Sequence, residues 1–515
     1  MMLCKILKFL FLLSFLTTST IYAKPFIEDE LLRSIMDSSK QQDIIIRMAD
    51  SSEFSVLQNK KDGINFLIRE SKEKNKRSRE KIKSIIDSKN VTNVKGLWLI
   101  DGFSLRTDAE TINNMMQLPY ISSISQDKIL ALKKTDYSTD ISPSWNISQI
   151  NAHVLWSFGY TGSGIIIAIM DSGVDIDNPH LTASFRGGTN SWFDPAGVHL
   201  TPYDAIGHGT QALGIILGSN NIDTTIGIAP SAKWIAAKIF NDAGTATTSG
   251  IHLSFQWILD PDNDSNTNDM PEILNCSWGI QEHVNECVTE FQQDISILRQ
   301  AGIAVVFAAG NESTNPSYPS SVSPANYEDS ISVGSVDSSS IIAYSSSRGP
   351  SACDSSIYPK LVAPGVSIET CDLSYGGIID QHVYVDGTSF AAPHVSAAFA
   401  LLMQAFPYAN SNDIESALIS SAIDLGNPGP DNSYGNGQID AFAAYQLLAL
   451  NYCNADFDHN YLVDFNDFEI LANEWLLSGC NELSPCRCDL NSDGHIDFHD
   501  YVNFSFQFKR DSCSQ

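Results

Sequence analysis

Residues 386–406 read DGTSFAAPHVSAAFALLMQAF. A glycine turn at Gly387 runs into a long apolar helix, and Ser389 stands at that helix's start. Positive potential at a helix N-terminus favours negative charge developing nearby, so this serine is a candidate nucleophile. Pro393 falls about one turn into the helix, near the edge of where a missing N–H is tolerated.

The chain on the N-terminal side of this helix predicts what the helix covers. Ile165–Met170, Trp234–Ile239, Ile273–Cys276, Ile303–Ala308 and Ile331–Val336 are apolar runs of strand length. Between them, Gln211–Leu217, Gly250–Leu259 and Asp294–Gln300 read as helices. Strand–helix alternation of this kind means an α/β fold, a parallel sheet covered by helices. In such sheets active groups sit just beyond the carboxyl ends of strands. Asp171 ends the first strand in IIIAIMDSGVD, His208 sits in GHGT, and Asn311 follows IAVVFAAG. Taken singly, each is a weak signal: a capping aspartate, one of 11 histidines, a turn asparagine. Taken together with Ser389, in this order and spacing, they are not a weak signal.

The strings DSGVD, GHGT and GTSFAAPHVSA, in the order Asp, His, Ser, resemble the subtilisin family over residues 145–450. The resemblance implies a subtilisin-like serine endopeptidase acting on proteins and peptides, with Asp171, His208 and Ser389 as its triad. It implies that Asn311 donates to the oxyanion. NCSWG resembles the strand that pairs with substrate, carried by Ser277, Trp278 and Gly279. Ala308, Ala309 and Gly310 would form the opposite wall of the specificity pocket. YSSSRGP, VAPG and GNGQIDAFAA resemble later landmarks, and the overall layout resembles the bacillopeptidase F branch. One departure stands out: Gln211-Ala212-Leu213-Gly214 replaces the His-Val-Ala-Gly that commonly follows His-Gly-Thr. A catalytically silent fold of this family, used for binding, is the alternative, and loss of any of the four site residues would favour it.

Composition divides the chain further. At 515 residues it is long enough for about three domains, and the formal charge is −29. Residues 24–142 carry 20 Lys and Arg against 18 Asp and Glu, so the acidity lies in residues 143–515. That asymmetry argues against nucleic acid as a partner and suits two parts that meet electrostatically. Lys5, Lys8, the apolar run Phe9–Leu16 and Ala23 read as a signal peptide over 1–23, which predicts a secreted chain with no membrane span after its removal. Residues 24–142 read as a small α/β unit, with helices at Lys72–Ile85 and Ala109–Gln117 and strands at Gly96–Ile100 and Ile121–Ile124. They loosely resemble the inhibitory propeptides of these proteases, ending in a polar linker at Lys133–Pro143. The peptidase domain would occupy 143–450.

Residues 453–513 hold an acidic, cysteine-rich repeat at an offset of 33. Asp456, Asp458, Asn460, Asp464 and Asp467 fall at positions 1, 3, 5, 9 and 12 of a calcium loop, and Asp489, Asn491, Asp493, Asp497 and Asp500 repeat the pattern. Leu462 and His495 would add backbone carbonyls at position 7. Apolar residues at helical spacing follow each loop. The pair resembles a type I dockerin, which implies bound calcium and a cohesin-like or cell-surface partner; simple stabilisation is the other reading. Cys4 leaves with the signal, and nine cysteines remain, an odd number. The expected pairs are Cys276–Cys287, Cys353–Cys371, Cys480–Cys486 and Cys453–Cys513, with Cys488 left over.

Overall fold

The computed structural model describes residues 25–508 except 38–40, 50–59, 133–135, 138–144, 220–225, 452–454, 459–462, 481–485 and 492. The expected signal peptide, most of the expected linker, Asn460, Leu462 and the Cys453–Cys513 pair lie outside the described residues. Two compact units divide those described: residues within 1–55 and 73–127, and residues within 56–72 and 128–515.

The second unit is built on seven strands: β1 (Ile166–Asp171), β2 (Trp192–Phe193), β3 (Lys233–Lys238), β4 (Ile273–Cys276), β5 (Ala304–Ala308), β6 (Ile331–Val336) and β7 (Leu361–Pro364). Their order across the sheet is β7-β6-β5-β4-β1-β3-β2, and every neighbouring pair is parallel. Every residue of β4 to β7 is buried. This is why these segments read as unbroken apolar runs rather than as alternation. The chain leaves β1 toward β3 on one side and later returns to pair with it from β4 on the other. The end of β1 is therefore the topological switch point, where such sheets place their ligands. Helices α1 (His208–Leu217), α2 (Thr248–Leu259), α3 (Gln292–Gln300) and α4 (Thr388–Ala405) cover the sheet. Along α4 every residue except Ser389 is buried. Helix α1 begins at His208 itself, three residues before the expected start, because Gly207 at φ 96° turns the chain directly into the helix.

The first unit has a five-stranded sheet in the order Phe26–Ile27, Ile121–Gln126, Gln42–Met48, Gly102–Thr107, Thr92–Leu97. A long helix runs over Lys60–Lys81, of which the part from Glu73 onward belongs to this unit, with a short one at Lys83–Ile86, in place of the expected 72–85. The expected strand Gly96–Ile100 is also corrected. The strand is Thr92–Leu97, and Trp98–Ile100 forms a tight turn into left-handed Asp101 (φ 44°), from which the chain folds back as an antiparallel strand.

Residues 455–508 carry two helices, Phe465–Glu474 and Phe498–Gln507, each opened by a reciprocal capping box: Asp464 with Asp467, and Asp497 with Asp500. Phe457, Val463, Leu471, Leu490, Ile496 and Phe504 form their shared core. The segment packs onto the sheet domain through fully buried polar groups. Asn503 Nδ2 donates to the Phe158 carbonyl (3.2 Å), Tyr445 Oη donates to Asn503 Oδ1 (3.2 Å), and Gln404 Nε2 donates to the Asn491 carbonyl (2.8 Å).

Two disulfide expectations are overturned. Cys287 bonds Cys353, with 4.7 Å between Cα atoms, while Cys276 and Cys371 are buried free thiols. Cys276 closes a buried central strand. Cys371 lies under α1, where a Cβ built on Gly214 would come within 2.7 Å of its sulfur. Neither thiol is placed to meet the surface loops that carry Cys287 and Cys353. Cys480–Cys486 forms as expected, and Cys488 is free and buried. Among the described residues, no helix is long and apolar enough to cross a membrane.

Candidate active site

Asp171 is the last residue of β1, and His208 is the first residue of α1. Both are buried, and His208 Nδ1 lies 2.8 Å from Asp171 Oδ1. Close backbone packing makes this possible. A Cβ on Gly209 would stand 2.2 Å from the Gly173 carbonyl and 3.1 Å from Asp171 Cβ, so only glycine lets α1 approach β1. The Ser172 amide also donates to Asp171 Oδ1 (2.6 Å), while Asp171 Oδ2 is buried without a partner. A buried carboxylate, in the low dielectric of the interior, acts strongly on the neighbouring imidazole.

Asp204 is a member of the site that sequence reasoning missed. Its Oδ1 accepts from the Ile206 and Gly207 amides (2.9 and 3.0 Å), and its Oδ2 accepts from Thr210 N and Oγ1 (3.1 and 2.8 Å). It therefore satisfies the open amides at the start of α1 and adds negative charge beside the histidine. Burial pushes the His208 pKa down, but the Asp171 charge and hydrogen bond, followed by Asp204, outweigh it. The result stands above the ordinary 6.5. The available signal was an acidic residue four positions before His208, ahead of a glycine-opened helix.

Ser389 is held from the opposite side. It is the second residue of α4, and the Phe390 ring packs on His208 at 5.5 Å between centroids. Pro393 has a positive role here. A residue four places after Ser389 would normally donate to the Ser389 carbonyl, and proline cannot. Ser277 Oγ donates to that carbonyl instead (2.7 Å), and Ser389 Oγ donates back to the Ser277 carbonyl (3.2 Å). This exchange ties α4 to the segment just past β4. To reach His208 Nε2, the Ser389 hydroxyl has to leave the Ser277 carbonyl. The next residue, His394, is fixed by Phe390 O (2.8 Å) and Asn146 Nδ2 (2.9 Å), and burial pushes its pKa down to about 4, so it stays neutral.

Asn311 stands beyond the end of β5. Its Oδ1 accepts from Thr388 N (2.9 Å) and Thr388 Oγ1 (3.1 Å). That fixes the orientation of the amide, with Nδ2 as its donor end. A Cβ on Gly387 would come within 3.1 Å of Nδ2. Ser277, buried Trp278 and Gly279 lie past β4, and a Cβ on Gly279 would strike Val322 at 2.8 Å. Ala308 and Ala309 are buried beside them, and the Gly310 amide donates to Thr388 Oγ1 (3.0 Å) at φ 102°. The structure thus brings all ten predicted catalytic and substrate-binding residues to the carboxyl edge of one sheet. Gln211, at the departure noted in the sequence, donates to Asp372 Oδ1 (2.8 Å).

The two acidic loops lie elsewhere in the same unit. Asp456, Asp458 and Asp467 present oxygens within 4.8 Å of one another. In the second loop Gly494 takes φ 87°, as a calcium loop's sixth position requires. Asp493 and Asp497 converge there, joined by His499, which is not one of the expected ligands. Asp489 accepts from the Asp493 and Gly494 amides (3.2 and 3.0 Å), Asn491 Nδ2 donates to Asp493 Oδ2 (3.0 Å), and the His495 amide donates to Asp493 Oδ1 (2.9 Å). Asp464 and Asp497 cap the two helices. Asp467 and Asp500 each accept backbone amides of their own loop, and burial pushes the Asp500 pKa up to about 6. A carboxylate that burial disfavours as an anion is one that a bound cation would relieve.

Residues 162–437 match the Peptidase_S8 model, the Subtilase family. The chain is 32% identical over 394 residues to bacillopeptidase F of Bacillus subtilis strain 168, which covers 70% of this chain but 27% of that protein. It is 32% identical over 370 residues to subtilisin E of the same strain, covering 72% of this chain and 87% of the relative. Against subtilisin of Bacillus pumilus it is 35% identical over 303 residues, 59% of this chain and 98% of the other. With a family match across residues 162–437 and the two subtilisins matched over 87% and 98% of their lengths, this chain belongs to the subtilase family, as a subtilisin-like serine protease.

Proposed function

We propose that the chain is a secreted serine endopeptidase, made as a zymogen that processes itself. The observation that carries the reading is the buried His208–Asp171 pair beside the start of α4, where the ring of Phe390, next to Ser389, packs on His208. Ser389 Oγ bonds to the scissile carbonyl carbon as its proton passes to His208 Nε2. Asp171 holds the imidazole and stabilises its charged form. Asn311 Nδ2 and the Ser389 amide receive the oxyanion. His208 then protonates the leaving amine, and water repeats the sequence to release the acyl group. An intact set of site residues speaks against the binding-only alternative. Hydrolysis of a fluorogenic peptide library by the wild type, lost in Ser389→Ala, tests this; equal hydrolysis by both would refute it.

Two strand pairings support self-processing. Ile129–Ala131 pairs antiparallel with Thr245–Thr247, and the Leu132 amide donates to the Gly244 carbonyl (2.8 Å). Asp136–Tyr137 pairs antiparallel with Val385–Asp386, three residues before Ser389. An extended segment added to a strand edge is how proteases hold peptides. The scissile bond therefore falls between Leu132 and Asp136, at the start of the linker read from sequence. N-terminal sequencing of the mature form should begin at residues 133–136. A Ser389→Ala chain that matures at the same bond, expressed without other proteases, would overturn self-processing.

The acidic module binds calcium through its two loops in this reading. Its buried packing against Phe158, Tyr445 and Gln404 favours a stabilising role over attachment to a cohesin-like or cell-surface partner. Pull-down with a cohesin panel separates the two roles.

A further inference from the structure

Away from the triad, two histidines and a carboxylate converge. His180 lies on the segment that follows β1, and its side chain is wholly buried. His382 opens the strand His382–Asp386 that leads into Ser389, and Asp380 precedes it. His180 Nε2 is 2.9 Å from Asp380 Oδ1 and 3.0 Å from His382 Nε2, and the His382 Nε2 to Asp380 Oδ1 distance is 3.9 Å. On its far side, His382 Nδ1 lies 3.0 Å from Glu369 Oε1.

Proton positions follow from these partners. A carboxylate only accepts, so Glu369 requires the proton of His382 on Nδ1. That leaves a lone pair on His382 Nε2, aimed at His180 Nε2. The Asp380 oxygen aims a second lone pair at the same atom. One proton on His180 Nε2 cannot point at both. His180 Nδ1 is buried with no partner, so every polar tie of this ring runs through the crowded nitrogen.

We propose that His180, His382 and Asp380 form a site for a divalent transition-metal ion of the zinc class, with Glu369 as the outer carboxylate that orients His382. A tetrahedral zinc site with ligands at about 2.1 Å sets neighbouring ligand atoms about 3.4 Å apart. The three observed separations, 2.9, 3.0 and 3.9 Å, lie on either side of that value. Two imidazoles select zinc, cobalt or nickel over calcium and magnesium, which favour oxygen. The carboxylate–histidine arrangement of Glu369 and His382 is the usual outer support of a zinc ligand. Asp380 is 54% exposed, which gives an ion a way in and leaves room for water as fourth ligand. A bound ion would tie three segments together: the one following Asp171, the Asp372–Gln381 loop, and the strand entering the Ser389 turn. Asn178 Nδ2 to Asp372 O (2.7 Å) and Ser374 to Asp175 Oδ2 (2.6 and 2.7 Å) already join the first two.

The test uses the full chain carrying Ser389→Ala, stripped with chelator and then loaded with zinc alone or with cobalt(II) alone. The chain should bind one zinc that is absent from both His180→Gln and His382→Gln, and the cobalt form should lose the matching absorption band. Zinc held by the acidic loops is common to all variants and cancels. Glu369→Gln should weaken the site about 10- to 100-fold while keeping its stoichiometry. Should a histidine variant fail to fold, Asp380→Asn, at the exposed corner, must weaken zinc binding in the same way. The proposal is overturned if the parent takes up no zinc at this site, or if the variants keep the parent's zinc count and cobalt spectrum.

Discussion

His252 offers a test of the peptidase core that the pH can switch. It lies on α2, fully buried, with Nδ1 2.9 Å from Asp294 Oδ2 and Nε2 3.0 Å from Glu290 Oε1. Burial pushes its pKa down, but the Asp294 charge and hydrogen bond, with those of Glu290, more than offset it and raise the pKa from 6.5 to about 9. A group whose folded pKa is raised contributes stability that is complete below its unfolded pKa. That stability is lost as pH climbs through the folded pKa. The window is therefore pH 6.5 to about 9. At about 1.4 kcal/mol per pH unit, the loss across it is on the order of 3 kcal/mol. For a domain of roughly 300 residues, with unfolding entropy near 2 cal/mol/K per residue, that is a Tm drop of about 5 °C.

The assay is calorimetry at pH 6 and at pH 9.5, at one scan rate, in a Ser389→Ala background that cannot digest itself. His252→Gln supplies hydrogen bonding but no titrating charge. Its Tm should lie well below the parent's at pH 6 and approach it at pH 9.5. Other titrating groups contribute alike to both chains and cancel in the difference. A parent-to-variant gap equal at both pH values would show that His252 carries no net charge in the folded chain, and would refute the reasoning.

Three further outcomes are expected. Asn311→Ala should lower kcat by about 10²- to 10³-fold with KM little changed, since its amide acts on the transition state; a KM effect with normal kcat would contradict the role. Asp204→Asn removes a charge that favours protonated His208, so the acid limb of the kcat/KM profile should move to lower pH, read from peptide hydrolysis between pH 5 and 9; an unmoved limb would show that Asp204 acts only as a cap. Gly494→Ala puts a side chain at φ 87°, at roughly 1–2 kcal/mol, so the second calcium event in a titration of the full chain should weaken about 5- to 30-fold, while unchanged affinity would remove that loop from the calcium sites.

What could be read from the chain in advance was local. Runs such as Ile273–Cys276 and Ile331–Val336 announce strands because burial on both faces leaves no polar position to break them. Asp171, His208, Asn311 and Ser389 were visible because each stands at an element boundary marked by glycine or by the end of an apolar run. The errors lie where the outcome depends on chain distant in sequence. Cys276 and Cys287 are close along the chain, yet one closes a buried strand and the other meets Cys353 across 66 residues. Asp204 looks like any loop aspartate until α1 closes over it.

The same distinction explains why GTSFAAPHVSA announces its serine but not the reason for its proline. Pro393 withholds one hydrogen bond from the Ser389 carbonyl, and only the fold reveals that Ser277, 112 residues earlier, takes that place. A helix that satisfied all its own carbonyls would have no such tie to the segment just past β4. Pro393→Ala should therefore restore the helical bond and weaken the Ser277 link. Local helix propensity would rise, while the Ser389 backbone would lose the Ser277 tie that now fixes it at the start of α4. A variant with higher thermal stability and lower kcat is the expected result. Unchanged kcat alongside a raised Tm would mean that the proline serves folding alone.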